Sequence, residues 1–408
     1  MSPEERLAAL CARVEIDDRT RLQIKNILRQ GIDWKRLNKL LTYHHVTALT
    51  YYNIKKINRE AIPVELPIKE KIDECIAKNL LLSRELKAVL SSFKEAGFDA
   101  IPMKGIYLLN TVYADLPLRE MHDIDILIRE EDLPAADRCV RESDYRPEDQ
   151  AFDWRDLNAL KTYRKFFYHL RYKKASALLF APIFLEIHFD ILPPFRGRNT
   201  FLLDIWKDAQ DVNFSGVSFP VMSTEDLLVY LSLKLFASFE FFIILKDLRD
   251  IAELIKRHDR QIDWTALTEK AKSRNAASML YYSLRLTQNL LMDENNSIPK
   301  NVIDELKPFF LKRIFLDRII RWDRLSEEAD NRIPLIAFAR EYLFDVMSLR
   351  GITDMWRLIR NVLYNYNFYE RLLKMPKYKR GFLYLIRFLE VPVLLMGLAI
   401  RSLCRKSQ

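Results

Sequence analysis

Apolar and polar positions alternate with different periods in successive parts of the chain. Over residues 1 to about 60 the apolar positions recur at helical spacing, with Leu7, Leu10 and Val14 followed by Leu22, Ile24, Ile27 and Leu28, and they predict short helices. Ile68, Ile72, Cys75, Ile76, Leu80, Leu86, Val89, Leu90 and Phe93 then predict one long amphipathic helix, which Gly97 closes as a carboxy-terminal cap. From residue 98 the period changes. Phe98 to Met103 reads as a strand, Ile106 to Val112 as a helix, Met121 to Ile128 as a second strand and Leu133 to Ser143 as a helix. Arg164 to Tyr172 and Ile183 to Ile191 alternate as further strands, and Pro193-Pro194 stops the last of them. Beyond Ser223-Thr224-Glu225-Asp226, a helix cap followed by acids, the pattern is helical: a buried helix from Leu227 to Phe242, a continuation from Ile244 to Ile255, and more amphipathic helices over residues 300 to 375.

A short echo sits on both sides of the mixed region. Ile32-Asp33-Trp34 with Leu37, Tyr51 and Tyr52 matches Ile262-Asp263-Trp264 with Leu267, Tyr281 and Tyr282 at one constant offset. Asp before Trp suits a helix start, where a carboxylate caps free amides at the positive helix end. The echo is either a common helix-turn device or a duplicated helical element packed on both flanks of the centre.

These patterns predict an α+β protein in four parts: a helical region over 1–97, an α/β core over 98–222, a helical bundle over 223–375 and a basic amphipathic tail over 376–408. With 408 residues, 49% of them hydrophobic, the chain can bury a large core. Only 8 Gly and 16 Pro argue against a long flexible linker. The start, Met1-Ser2-Pro3-Glu4-Glu5-Arg6, is unlike a secretory signal, and Cys11, Cys75, Cys139 and Cys404 form no CxxC pair. Reduced thiols in a cytoplasmic protein are therefore expected. Of the formal net charge of +9, a surplus of 8 falls after Gly351, where 11 Lys and Arg face 3 Asp and Glu. The rest is nearly neutral, which disfavours specific nucleic-acid binding. Residues 382 to 400 are apolar but broken by Arg387, Glu390 and Pro392, so a spanning helix is disfavoured. Two readings stand for residues 374–408: peripheral contact with an inner-membrane surface through their lysines and arginines, or docking on the protein's own core.

The chemistry concentrates in Met103-Lys104-Gly105 and Arg119-Glu120-Met121-His122-Asp123-Ile124-Asp125-Ile126-Leu127-Ile128. On a strand, Asp123 and Asp125 share one face, roughly 6.6 Å apart along the chain, while Ile124 and Ile126 take the other. Two carboxylates on an apolar strand are costly unless cations neutralise them, and a pair of Mg²⁺ (or Mn²⁺) ions bridged by substrate phosphates would do so. A third carboxylate is needed from a neighbouring strand. Glu186 is the best candidate, on one face with His188 and Asp190, and Asp190 is held in reserve. Lys104 and Gly105 make a turn that can face phosphate, with an exposed lysine as the plain alternative. Arg119 is read either as a phosphate fork or as the partner of Asp115 or Glu120. His188 is read either as packed or as part of the site, and Asp250 either as orienting substrate or, with Arg249, as a surface charge pair. The basic strand residues Arg164, Lys165, Arg171, Lys173 and Lys174 are read either as solvated or as lining an acidic substrate's path. No P-loop, GxGxxG, HExxH or GxSxG motif occurs.

Residues of about 100 to 270 resemble a bacterial nucleotidyltransferase family usually labelled uncharacterised, within the DNA polymerase β-like superfamily. Lys104-Gly105, Arg119 ahead of Asp123-Ile124-Asp125-Ile126-Leu127-Ile128, Leu185-Glu186-Ile187-His188-Phe189 and Leu245-Lys246-Asp247-Leu248-Arg249-Asp250-Ile251 carry the resemblance. It implies a small mixed-sheet polymerase β-like core, two Mg²⁺ on Asp123 and Asp125, and a third ligand or activating carboxylate at Glu186. In the family the glycine motif meets the triphosphate through a following hydroxyl or amide; the hydroxyl is missing here, and Lys104 is read as its substitute, a cation on the phosphates. The usual Gly-Ser or Gly-Gly is Gly105-Ile106 here, and the glycine-to-aspartate spacing is longer than in the commonest members. Two functions follow. One is a transferase moving an NMP group from an NTP, ATP foremost, to an acceptor hydroxyl on a small molecule, sugar or protein. The other is a catalytically degenerate scaffold of the same fold at a membrane surface.

Overall fold

In the computed structural model the described residues are 1–63, 68–113, 118–148, 167–176, 181–192, 201–214, 216–237, 244–292, 298–320 and 347. The expected helices between 320 and 375 and the tail 376–408 lie outside them, apart from Met347. Of the strand expected from Arg164, residues 164–166 lie outside, and so does Pro193-Pro194.

The α+β core is a five-stranded mixed sheet of β1 (Ala100–Pro102), β2 (Asp123–Ile128), β3 (Arg146–Pro147), β4 (His169–Lys174) and β5 (Ile183–His188), in the order β1-β2-β5-β4-β3. β2 and β5 run parallel with Asp125 opposite Glu186, and β4 runs antiparallel to β5 with Arg171 opposite Glu186. Ile124, Ile126 and Ile128 are fully buried. Each such side chain contributes about 1.5–3 kcal/mol, which helps to offset the cost of the carboxylates on the opposite face. The 28-residue helix Ile68–Glu95 packs on β2. Gly97 ends it at φ +87°, and the Phe98 amide donates back to the Phe93 carbonyl. Leu80, expected on its apolar stripe, is 55% exposed. Asn79 takes the stripe instead, donating 2.7 Å to the Arg119 carbonyl.

Two four-helix units, one before the core in sequence and one after it, pack against each other. The first is α1 (Pro3–Cys11), α2 (Asp18–Arg29), α3 (Trp34–Tyr43) and α4 (Thr47–Asn58), and Ile68–Glu95 is α5. In the core, α6 is Lys104–Thr111, α7 is Leu133–Glu142 and α8 is Phe201–Lys207, before the hairpin β6 (Gln210–Phe214) and β7 (Val217–Val221). The second unit is α9 (Thr224–Ala237), α10 (Leu245–His258), α11 (Trp264–Ser273) and α12 (Ala277–Leu291), followed by α13 (Lys300–Leu306) and α14 (Phe310–Ile319). α9 ends at Ala237, and residues 238–243 lie outside the described residues. Ser223 is its cap: its carbonyl accepts from the Leu227 amide and its hydroxyl from the Asp226 amide.

The echo is structural. Asp33 caps α3 through the Arg36 amide, and Asp263 caps α11 through the Thr265 and Ala266 amides. Each cap's own amide donates to an acid in the first turn of its unit, Glu4 on α1 and Glu225 on α9. The turns that follow match as well. His45 and Asn275 have φ of 52° and 59°, the Val46 amide donates to Leu41, and the Ala276 amide donates to Ala271. Leu22 is the exception to the amphipathic reading of the first unit, at 58% exposed.

Replacing Asp33 or Asp263 by Ala should each cost about 1 kcal/mol. The two losses should add in the double variant, since the caps share no partner. Chemical denaturation midpoints of the three variants check this.

Candidate active site

Asp123 and Asp125 open β2, and Glu186 and His188 sit side by side with them on the same face of β5, because parallel pairing in register aligns the faces. Oxygens of Asp123, Asp125 and Glu186 lie within 4.8 Å of one another. Asp125 is buried, with one oxygen 3.1 Å from Lys104 Nζ and the other 3.0 Å from His188 Nε2. His188 Nε2 is also 3.4 Å from Glu186 Oε2. The other oxygen of Glu186 meets Arg171 Nε at 3.1 Å, and His169 Nε2 lies 3.9 Å from Oε2.

Electrostatics divide the acids. Burial alone would raise Asp125, but the Lys104 ammonium and the His188 hydrogen bond outweigh it and hold its carboxyl far below the usual range. Burial raises Asp123, and the charge of Asp125 beside it raises it further. Burial would raise Glu186 as well, yet the hydrogen bond from His188 leads the effects that bring it down to about 2. Burial would depress His188, but its bonds to Asp125 and Glu186 push it up to about 9. Lys104 follows the same logic, lifted well above its ordinary value chiefly by Asp125 against burial. Three positive groups, Lys104, His188 and Arg171, therefore stand against the carboxylates of this face.

The turn before α6 departs from expectation in detail. The left-handed residue is Lys104, at φ +28°, and it starts the helix. Gly105 lies in the first helical turn, where a Cβ would come within 2.6 Å of Met121 Cε and 2.9 Å of Arg119 Nη1. A side chain there would force the ends of Met121 and Arg119 to shift, and the Arg119 fork is held by Asp250. The Met103 amide donates 2.9 Å to the Asp125 carbonyl, which fixes the turn against β2 and aims Lys104 at the carboxylates.

Arg119 lies beneath Gly105, and its fork is occupied. Nε and Nη2 donate to the two oxygens of Asp250 at 2.8 and 2.6 Å, and Nη1 contacts Met121 Sδ. Tyr113 adds a 2.7 Å hydrogen bond to Asp250, and Arg249 Nε donates to the Tyr113 hydroxyl. Both Arg249 and Asp250 are buried, so the surface pair expected of them is replaced by a buried clamp between α10 and the segment before β2. Asp190, the reserve ligand, accepts the Ile191 amide at 2.7 Å. Arg171 on the basic strand turns to Glu186, while Lys174 turns away to Glu85.

Several neighbours escaped notice in the sequence. On α9, Lys234 Nζ donates 3.2 Å to the hydroxyl of Tyr168, whose ring lies 5.4 Å from that of His188, and Tyr230 is one turn earlier on the same helix, within the field of Asp125. A second cluster lies just before β2. Lys78 Nζ is 3.3 Å from His122 Nδ1, and His122 Nε2 is 3.1 Å from His45 Nδ1, with Glu120 nearby. Since an ammonium can only donate, the His122 proton points to His45, and the chain ties the α3–α4 turn to β2. The spacing of isolated His and Tyr residues carried no signal for either group.

Residues 30–292 match the family described as "Uncharacterised nucleotidyltransferase", a span that holds the sheet, all three carboxylates and both helix-turn-helix copies. The chain belongs to this nucleotidyltransferase family. No curated protein matches it. Among the described residues, no helix is long and apolar enough to cross a membrane.

Breaking a buried pair on one side leaves an uncompensated charge, so Asp250→Asn should cost about 3–5 kcal/mol. Burial would raise the Asp250 carboxyl, but Arg119 holds it below its usual value. Its contribution is therefore complete above the unfolded-state value of about 3.9 and is lost as pH falls through the lower folded value. Denaturation from pH 7 to 3 should show the gap between wild type and variant closing at the acid end.

Proposed function

We propose that the protein is a metal-dependent nucleotidyltransferase that moves an NMP group from an NTP, ATP foremost, to an acceptor hydroxyl with release of pyrophosphate. The observation that carries this reading is the placement of Asp123, Asp125 and Glu186 on one face of the parallel β2–β5 pair, within 4.8 Å of one another. All three offer hard oxygen donors at the edge of a dry core, a donor set that suits Mg²⁺ or Mn²⁺. Asp123, Asp125 and Glu186 would hold the ions. Bound there, the ions would supply charge neutralisation for the attacking and leaving oxygens.

The chain's own residues prepare that site. Lys104 and His188 neutralise Asp125, so the carboxylate stays ionised and fixed in the absence of any ion. Parallel register puts Glu186 directly beside Asp125, and Arg171 and His188 hold its two oxygens in place. Gly105 keeps the first turn of α6 tight against Met121, which presents the Lys104 ammonium, 24% exposed, at the mouth of the site. In this reading Lys104 turns between Asp125 and a substrate phosphate. Arg119, committed to Asp250, acts as a positioning residue behind the turn.

Calorimetry of NTP binding with Mg²⁺ tests the proposal. Asp123→Asn/Asp125→Asn removes two charged contacts worth about 1.5–3 kcal/mol each. The double variant should bind at least about 100-fold more weakly. An NTP that binds neither protein, or binds both equally, would instead favour a degenerate scaffold of the same fold.

A further inference from the structure

Tyr230 is fully buried on α9, and its hydroxyl makes no hydrogen bond among the described residues. A buried polar group left unpaired is costly, and each instance in a folded protein calls for an account. Tyr168, the partner of Lys234 one helical turn along α9, has its ring 5.4 Å from that of His188, which places this part of α9 beside the carboxylate face; the field of Lys104, Asp125 and Glu186 reaches the Tyr230 hydroxyl. Lys234 stands one helical turn further along α9, on the same helix face, with its ammonium 3.2 Å from the Tyr168 hydroxyl and within electrostatic reach of Asp125. Two hydroxyls and two ammonium groups, Tyr168, Tyr230, Lys104 and Lys234, are thus electrostatically coupled around Asp125.

We propose that Tyr230 and Lys234 of α9, with Tyr168 and Lys104, form a subsite for the phosphate chain of the nucleotide, in which the Tyr230 hydroxyl donates to a phosphate oxygen. The inference rests on the nucleotidyl-transfer reading for the identity of its ligand. Two ammonium groups beside an unpaired hydroxyl suit a multiply charged oxyanion, whereas a base or ribose would offer neither charge a counterpart once Lys104 leaves Asp125. Lys104 is paired with Asp125 at 3.1 Å. A cation held by Asp125 would free Lys104 for the phosphate and leave room for that phosphate to approach the Tyr230 hydroxyl. The α6 turn itself carries no hydroxyl at this position, because Ile106 follows Gly105.

The test measures binding of inorganic tripolyphosphate and of ATP, each with Mg²⁺, to the full chain and to Tyr230→Phe, alongside melting temperatures. The lost bond is one to a charged group, so affinity for both probes should fall about ten- to hundredfold. The melting temperature should stay level or rise, since no protein hydrogen bond is removed. Lys234→Gln should weaken the same two probes. Equal binding of tripolyphosphate by wild type and Tyr230→Phe, or no binding by wild type, would overturn the subsite. Loss of affinity accompanied by a lowered melting temperature would overturn it as well, by assigning Tyr230 a structural role. ATP binding that depends on Asp123 and Asp125 but not on Tyr230 would leave the transferase reading standing without the subsite.

Discussion

The fold around the site depends on keeping one buried carboxylate charged. Asp125 lies in a dry sheet between Ile124 and Ile126, where desolvation alone would protonate it. Lys104 from one side and His188 from the other prevent that. Each partner needs its own support. Lys104 depends on the left-handed turn that ends β1, on the Met103 amide bonded to β2 and on the absence of a side chain at Gly105. His188 depends on the parallel register that carries it and Glu186 along the same face as Asp125. The buried clamp of Arg119 with Asp250 then locks the segment before β2 to α10, so the helical unit and the sheet meet at the edge of the carboxylate face.

Two similar helical units pack on each other beside this sheet, with Arg13 donating to the Leu290 carbonyl and the Leu245 amide donating to His44. In each, a serine hydroxyl caps the first helix, an acid from that helix's first turn receives the amide of an Asp cap, and a left-handed residue turns the third helix into the fourth. The repetition of these contacts, not only of side chains, favours a duplicated element over a recurrent turn device. The copies serve different purposes. The second presents Tyr230, Lys234 and Asp250 toward the core, while His45 of the first meets His122 next to Asp123. A nucleotidyltransferase sheet this small has few faces of its own, so the helical units supply much of what surrounds its acids.

Much of this was legible in the sequence because it is local. A period of two put Asp123 with Asp125 and Glu186 with His188, and a serine before two acids marked the start of α9. Gly97 and the two Asp-Trp starts announced their caps in the same way. What escaped depends on contacts distant in sequence. Arg119 finds Asp250 131 residues away, a pairing that no spacing rule reaches, and so the nearer Asp115 and Glu120 stood as its candidates. The hairpin β6–β7 and the two-residue β3 are too short and mixed to show a period. Lys104 occupies the left-handed position usually left to glycine, while Gly105 is needed for space instead, a distinction that appears only once Met121 and Arg119 are in place. Leu22 and Leu80 fit a helical stripe by count yet face outward, since the stripe is fixed by the neighbours and not by the helix alone.

The most direct test of the central claim is anomalous diffraction from crystals grown with Mn²⁺ and a non-hydrolysable NTP analogue. The account predicts manganese density between Asp123, Asp125 and Glu186, with Lys104 withdrawn from Asp125 toward the phosphates. Nucleotide absent from this face, with Lys104 and His188 still holding Asp125 and manganese bound elsewhere, would contradict it.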